Sequence, residues 1–193
     1  MKTSIHWTGL FFGAAVIVLG CGARDSSQTE EAAGNASGDR AIATTQQAVS
    51  LGWTGYTSDE YPPIVCGGSS LVHQFQCTGP YCDNIAAYCQ PSGGTPLDSY
   101  WTDYFSEEGA NSRFCNFGDW VTGFACSGPY CDRVSLECTS FINVHGPTNC
   151  HWVGPVSEEN GGILQFGSTF YATGARCEGA YCDNMWFWVC EPS

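Results

Sequence analysis

From about Leu51 to Ser193 the chain alternates apolar and polar residues in short runs, the period of strands with one buried face. In the clearest run Trp120, Thr122, Phe124 and Cys126 alternate with Val121, Gly123 and Ala125. Beyond it Val134, Leu136 and Cys138 alternate with Arg133, Ser135 and Glu137. Gly128 and Pro129 lie between the runs, so the pattern predicts a β-hairpin. No segment sustains a helical period, and the predicted fold class is all-β. Two other patterns precede this region. Ile5 to Leu19 is a short apolar run after Lys2, and Gly22 to about Val49 is polar and small, with almost no large apolar residue. The first reads as an export leader (1–20), the second as a disordered tether (21–50) that cannot bury enough surface to offset its ordering entropy.

The hairpin occurs three times. Cys77-Thr78-Gly79-Pro80-Tyr81-Cys82-Asp83-Asn84 returns as Cys126-Ser127-Gly128-Pro129-Tyr130-Cys131-Asp132-Arg133, then as Cys177-Glu178-Gly179-Ala180-Tyr181-Cys182-Asp183-Asn184. Trp53, Trp101 and Trp152 open the copies and are expected as core pillars. Ser58-Asp59-Glu60, Ser106-Glu107-Glu108 and Ser157-Glu158-Glu159 follow, and Cys89, Cys138 and Cys190 close them. The repeats span about 51–92, 100–141 and 150–193 of one domain, 51–193. The third has one extra residue before its closing Cys, which predicts a bulge in its last strand.

Of the thirteen cysteines, Cys21 stands apart and the other twelve fall in the repeats. Behind an export leader this means disulfides. The CxxC pairs of zinc ribbons are missing. Four cysteines per copy permit three pairings. Residues flanking a tight turn come within bridging reach, which favours Cys77–Cys82, Cys126–Cys131 and Cys177–Cys182. Cys66–Cys89 and Cys115–Cys138 remain. In the third copy Phe166 stands where the first outer cysteine belongs, and Cys150 is the expected partner of Cys190 from a neighbouring strand.

Val18-Leu19-Gly20-Cys21 resembles the lipobox of bacterial lipoproteins. The resemblance implies cleavage before Cys21, a diacylglycerol on its thiol, and a domain held to the cell envelope, in the periplasm or outside the cell. The formal net charge is -13, and the domain's only basic side chains besides histidine are Arg113, Arg133 and Arg176. Such a surface repels phosphate backbones, so nucleic acid is excluded as a partner.

Three equal β units close into a threefold body, either a β-prism or a β-trefoil. A Trp, a Cys, then Thr122-Gly123-Phe124 and a strand ending Leu136-Glu137-Cys138 resemble the repeat of vitelline membrane outer layer proteins. That family implies a β-prism, favoured here over the trefoil. The Gly-x-Tyr-Cys-Asp tip and His73-Gln74 in the first copy depart from its pattern, and the likeness transfers no catalytic residue.

Enzymatic signals are few. Gly67-Gly68-Ser69-Ser70 near His73 and Asp83 makes no recognisable triad and no GxSxG occurs. His145 and His151 beside Cys150 match no common zinc spacing, and no phosphate loop precedes a helix. Glu107-Glu108 and Glu158-Glu159, with Asp132 and Asp183, offer acid–base pairs for glycoside cleavage, but a hydrolase needs one pair, not a repeated set. The residues expected to bind ligand are those of the tips: Tyr81, Asp83 and Asn84; Tyr130 and Asp132; Tyr181, Asp183 and Asn184. An aromatic face beside an Asp and an amide suits a sugar ring and its hydroxyls, and three sites give avidity for a polymer. The alternative is that each Asp caps its own turn. No metal is expected, but the Ser-acid-acid segments leave two readings open: calcium at Glu107, Glu108, Glu158 and Glu159 with the tip Asp, or a solvated strand edge that resists aggregation. The sequence thus reads as a non-catalytic, lectin-like binder of a glycan or cell-surface polymer, without cofactor; the second reading is a structural or inhibitory envelope protein, and the third a glycoside hydrolase.

Overall fold

The structure, a computed structural model, describes residues 51–193. The leader, Cys21 and the tether lie outside the described residues.

The described chain is all-β. Its strands are β1 (Gly52–Trp53), β2 (Ile64–Val65), β3 (Ser70–Thr78), β4 (Asn84–Pro91), β5 (Thr95–Trp101) and β6 (Ser112–Phe114), then β7 (Trp120–Ser127), β8 (Arg133–Ile142), β9 (Pro147–Val156), β10 (Ile163–Gln165), β11 (Tyr171–Glu178) and β12 (Asn184–Pro192). They form three four-stranded antiparallel sheets, ordered β1-β4-β3-β10, β2-β7-β8-β5 and β6-β11-β12-β9. Each sheet is centred on one copy's hairpin. On one side of each hairpin lies a strand given by another copy. β2 of the first copy pairs with β7 of the second (Ile64 opposite Phe124). β6 of the second pairs with β11 of the third, and β10 of the third returns to β3 of the first. The exchange is cyclic.

The Thr-Gly pair of the second copy has a direct cause in this exchange. A side chain at Gly123 would strike the Ile64 carbonyl of the incoming strand. Gly174 likewise faces the Arg113 carbonyl, at 2.9 Å from where a Cβ would stand. Small residues admit the donated strand.

The inner faces of the sheets share one core. Phe75, Phe124 and Phe187 are fully buried, with ring centroids 4.6–6.0 Å apart. Each burial contributes roughly 1.5–3 kcal/mol. The third copy supplies its ring from the opposite strand: Phe75 faces Ala87, whereas Ala175 faces Phe187. These two copies thus share a large-plus-small pair, whereas the second sets Phe124 opposite Leu136. All three hairpins carry a bulge in their first strand, at Val72/Gln74, Val121/Gly123 and Ala172/Gly174. It turns both Val121 and Phe124 inward, so strict alternation from Trp120 to Cys126 does not hold. Trp120 goes instead to a second cluster with Leu71, Phe141, Val144 and Tyr171, at the end remote from the tips.

Six disulfides staple the domain: Cys66–Cys89, Cys77–Cys82, Cys115–Cys138, Cys126–Cys131, Cys150–Cys190 and Cys177–Cys182. Such a set belongs to an oxidising compartment. The two outer bridges tie a donated strand back to the copy it came from. In the third copy Phe166 donates its N–H to His73 O, as Cys66 and Cys115 donate to Thr122 O and Thr173 O. Val189 lies opposite Ala172 just as Cys89 lies opposite Val72. Phe166 and Val189, both buried in the shared core, therefore occupy the positions that a bridged cysteine pair holds in the other copies. Cys190, one position later, points to the other face and reaches Cys150 on β9. The extra residue is not a bulge in the last strand, as the spacing suggested; the irregularities of that pairing fall in β9.

The opening tryptophans also differ from expectation. Trp53 and Trp101 are 38% and 40% exposed, and Trp152 is half-buried. They sit on the outer faces, where Trp53 and Trp152 pack on Tyr88 and Trp188. No helix among the described residues is long and apolar enough to cross a membrane.

Candidate functional site at the joined tips

Each hairpin ends in a single 3-10 turn, Pro80–Cys82, Pro129–Cys131 and Ala180–Cys182. Inside it Tyr and Cys both adopt left-handed backbone: φ is 57° at Tyr81 and Cys82, 57° and 59° at Tyr130 and Cys131, and 58° at Tyr181 and Cys182. That conformation costs roughly 1–2 kcal/mol per non-glycine residue. The turn keeps it because the bridge back to the first strand and the Asp83 N–H to Pro80 O bond (3.1 Å) hold both ends. Asp132 and Asp183 make the equivalent bond.

The left-handed pair throws the Tyr rings toward one another. Tyr81 lies 5.4 Å from Tyr130 and 5.0 Å from Tyr181, and Tyr130 lies 5.3 Å from Tyr181, all between ring centroids. Three tips expected as separate sites form one apex. Its rings are 37–42% exposed.

The Ser-acid-acid segments lock this apex. Glu158 of the third copy accepts the N–H of Tyr81 in the first at 2.9 Å. Glu107 of the second accepts the N–H of Tyr181 in the third at 2.7 Å. By the same cyclic rule Asp59 should serve Tyr130. It is one methylene shorter, and among the described residues Tyr130 N–H forms no such bond. The sulfurs interlock too: Cys82 Sγ lies 3.3 Å from Asp183 O, and Cys182 Sγ 3.0 Å from Asp132 O.

The tip aspartates thus neither cap their own turns nor stand free in solvent. Each faces the acids of its own copy. Burial, then Asp59 and Glu60, pushes Asp83 above the usual carboxylate range. Burial, then Glu107 and Glu108, does the same to Asp132, with Arg133 opposing. Asp183 rises to about 6 through burial and a hydrogen bond with Glu158. Glu158 is lowered in return: the bonds from Asp183 and from the Tyr81 and Cys82 amides outweigh its own burial. Asp83 and Asp183 each keep one buried oxygen with no partner among the described residues. Asn84 and Asn184 cover the tip glycines, 2.8 Å from where a Cβ of Gly79 or Gly179 would stand, and so brace the turn.

The calcium expectation fares less well on donor count. Glu158 and Asp183 gather beside Cys82, and Glu107 beside Cys177 and Cys182, but these cysteines are bridged and offer no thiolate. One or two carboxylates per cluster fall short of the six to eight oxygens calcium takes. Glu108 and Glu159 stay apart from both groups, Glu159 on the surface. The structural role of Glu107 and Glu158 was not read from the sequence, although their recurrence at fixed distance before each tip was the available signal. His145 and the Gly67–Ser70 segment join no part of the apex.

Compared with known proteins, the chain matches no family model, no curated protein and no solved structure.

Proposed function

We propose that the domain is a non-catalytic, lectin-like module that binds a glycan or cell-surface polymer, carried on a lipid-anchored tether at the cell envelope. The observation behind this reading is the convergence of Tyr81, Tyr130 and Tyr181 into one half-exposed aromatic surface rimmed by Asp83, Asp132 and Asp183. Ring C–H groups of a sugar pack on such rings, and its hydroxyls donate to the accessible oxygens of the half-buried aspartates. Six left-handed non-glycine residues concentrated here fit a site whose strain is kept for function. The three-sided sheet arrangement favours the prism over the trefoil.

A glycan array with the oxidised protein tests this. Binding is expected, and it weakens when Asp83, Asp132 and Asp183 become Ala together. A folded protein that leaves the array silent refutes the reading. The second reading, a structural or inhibitory envelope protein, is favoured by the Glu107 and Glu158 bonds that clamp one copy's tip to another. It expects a silent array together with high protease resistance.

A further inference from the structure

The three sheets are not equivalent on their outer faces. At one register position the first sheet has Tyr88 beneath Trp53 and the third has Trp188 beneath Trp152, each an aromatic pair. In the second sheet the residue opposite Trp101 is Glu137. There the surface opens into a cleft of about 370 Å³. Val65 on β2 and Pro96 and Leu97 on β5 give it apolar walls from the two edges of the sheet.

Between them, on β7 and β8, the lining is polar and directional. Thr122 Oγ1 donates to Glu137 Oε2 at 2.9 Å. Having spent its one proton, Thr122 accepts from Thr139 Oγ1 at 2.7 Å, and Thr139 in turn accepts from Ser99 Oγ at 2.7 Å. Thr122 and Thr139 are buried and Ser99 is at the surface. Every hydroxyl proton is thus aimed inward at the carboxylate. What remains for a ligand is a free oxygen of Glu137 and the lone pairs of Ser99, all acceptors.

Glu137 is half-buried, and burial holds its carboxyl above the usual range despite the Thr122 bond. A charge so placed calls for a cation. The one salt bridge among the described residues is Arg176–Glu178, in the third sheet. There the chain supplies its own cation to the aromatic face: Arg176 stacks 4.7 Å from Trp152 and 4.8 Å from Trp186. The second sheet has Ala125 at the corresponding register position, opposite Ser135.

We infer that this cleft is a second ligand site, distinct from the apex, for an organic ammonium ion with an apolar body. The ammonium group donates to Glu137 and Ser99, and the apolar body lies against Val65, Pro96 and Leu97.

The probes are cyclohexylammonium and the neutral cyclohexanol, titrated into the isotopically labelled, oxidised protein at constant ionic strength with amide shifts followed by NMR. Cyclohexylammonium is expected to move the resonances of Thr122, Glu137 and Thr139, with an affinity at least about tenfold above that of cyclohexanol. Glu137→Gln should abolish this preference in a protein that stays folded, whereas the triple Asp→Ala change at the tips should leave it intact. Equal binding of the two probes, shifts confined to the apex, an unaltered response in Glu137→Gln, or no response from the folded protein would each overturn the inference. Because the apex variant is a separate arm, failure here is distinguishable from failure of the glycan reading.

Discussion

Asp59→Glu should complete a set of clamps that the chain leaves at two of three. Glu107 and Glu158 each reach a Tyr N–H in the following copy, at 2.7 and 2.9 Å, and Asp59 at the third position is one methylene too short. Lengthening it changes no charge and adds the missing reach. A hydrogen bond from an amide to a carboxylate is worth about 1.5–3 kcal/mol when it replaces nothing. Here the Tyr N–H groups lie near the surface, where water already satisfies them, and Glu loses side-chain freedom on docking. A net gain of roughly 0.5–1 kcal/mol remains. For a domain of this size that raises Tm by about 2–5 °C. The reverse change, Glu158→Asp, should lower Tm by a similar amount, and Asp59→Gln should give less than Asp59→Glu because its acceptor is neutral. Calorimetric scans of the four oxidised proteins at pH 7 decide it. If Asp59→Glu and Glu158→Asp both leave Tm within experimental error, the clamps carry no energy and the account of how the tips are joined fails.

Asp183 titrates near pH 6 in the fold and near 3.8 as a free side chain, so between those values the folded state holds a proton the unfolded chain has released. Stability therefore falls as pH rises from about 4 to about 6, and Asp83 and Asp132 add to this in the same direction. Glu158, lowered from 4.5, acts oppositely only below that value, so Tm should be highest near pH 4 and Asp183→Asn should flatten the decline above it. Gly162 has φ of +66°, and a Cβ there would strike the Cys77 carbonyl; Gly162→Ala should cost about 1–3 kcal/mol in a denaturant titration. Removal of the Cys115–Cys138 bridge, with a separation of 23 residues, should cost about 3 kcal/mol, and removal of Cys126–Cys131, with a separation of 5, about 2 kcal/mol, also by denaturant titration.

The hairpins and the pairing of their cysteines were legible because they are local. A turn with Gly and Pro fixes which residues meet, and the outer cysteines followed from the remainder. The exchange of β2, β6 and β10 was not legible. Each is two or three residues long, too short for a period, and its partner is chosen by a distant glycine such as Gly123. The bulge at Val121/Gly123 was hidden for a related reason: alternation over seven residues looks complete even when one residue is looped out. Trp53 and Trp101 misled because size alone argues for burial, whereas here the inner face was already filled by Phe75, Phe124 and Phe187. The tip residues recur visibly as a set, but their meeting at one apex depends on the threefold closure and on left-handed backbone at Tyr81, Tyr130 and Tyr181. Glu137 was passed over as an ordinary polar position on a strand. Comparing the copies column by column, with Tyr88 and Trp188 at its equivalents, would have marked it as the exception.

Because every copy both lends a short strand and borrows one, no third of this domain is a folding unit. A polypeptide with one or two copies would present a bare hairpin edge at one end of the series and an unhoused segment at the other, the combination that drives edge-to-edge association. Three separate single-copy chains, by contrast, could satisfy every edge by joining in a ring. The covalent threefold chain is therefore equivalent to a self-limiting homotrimer whose subunits have been linked end to end.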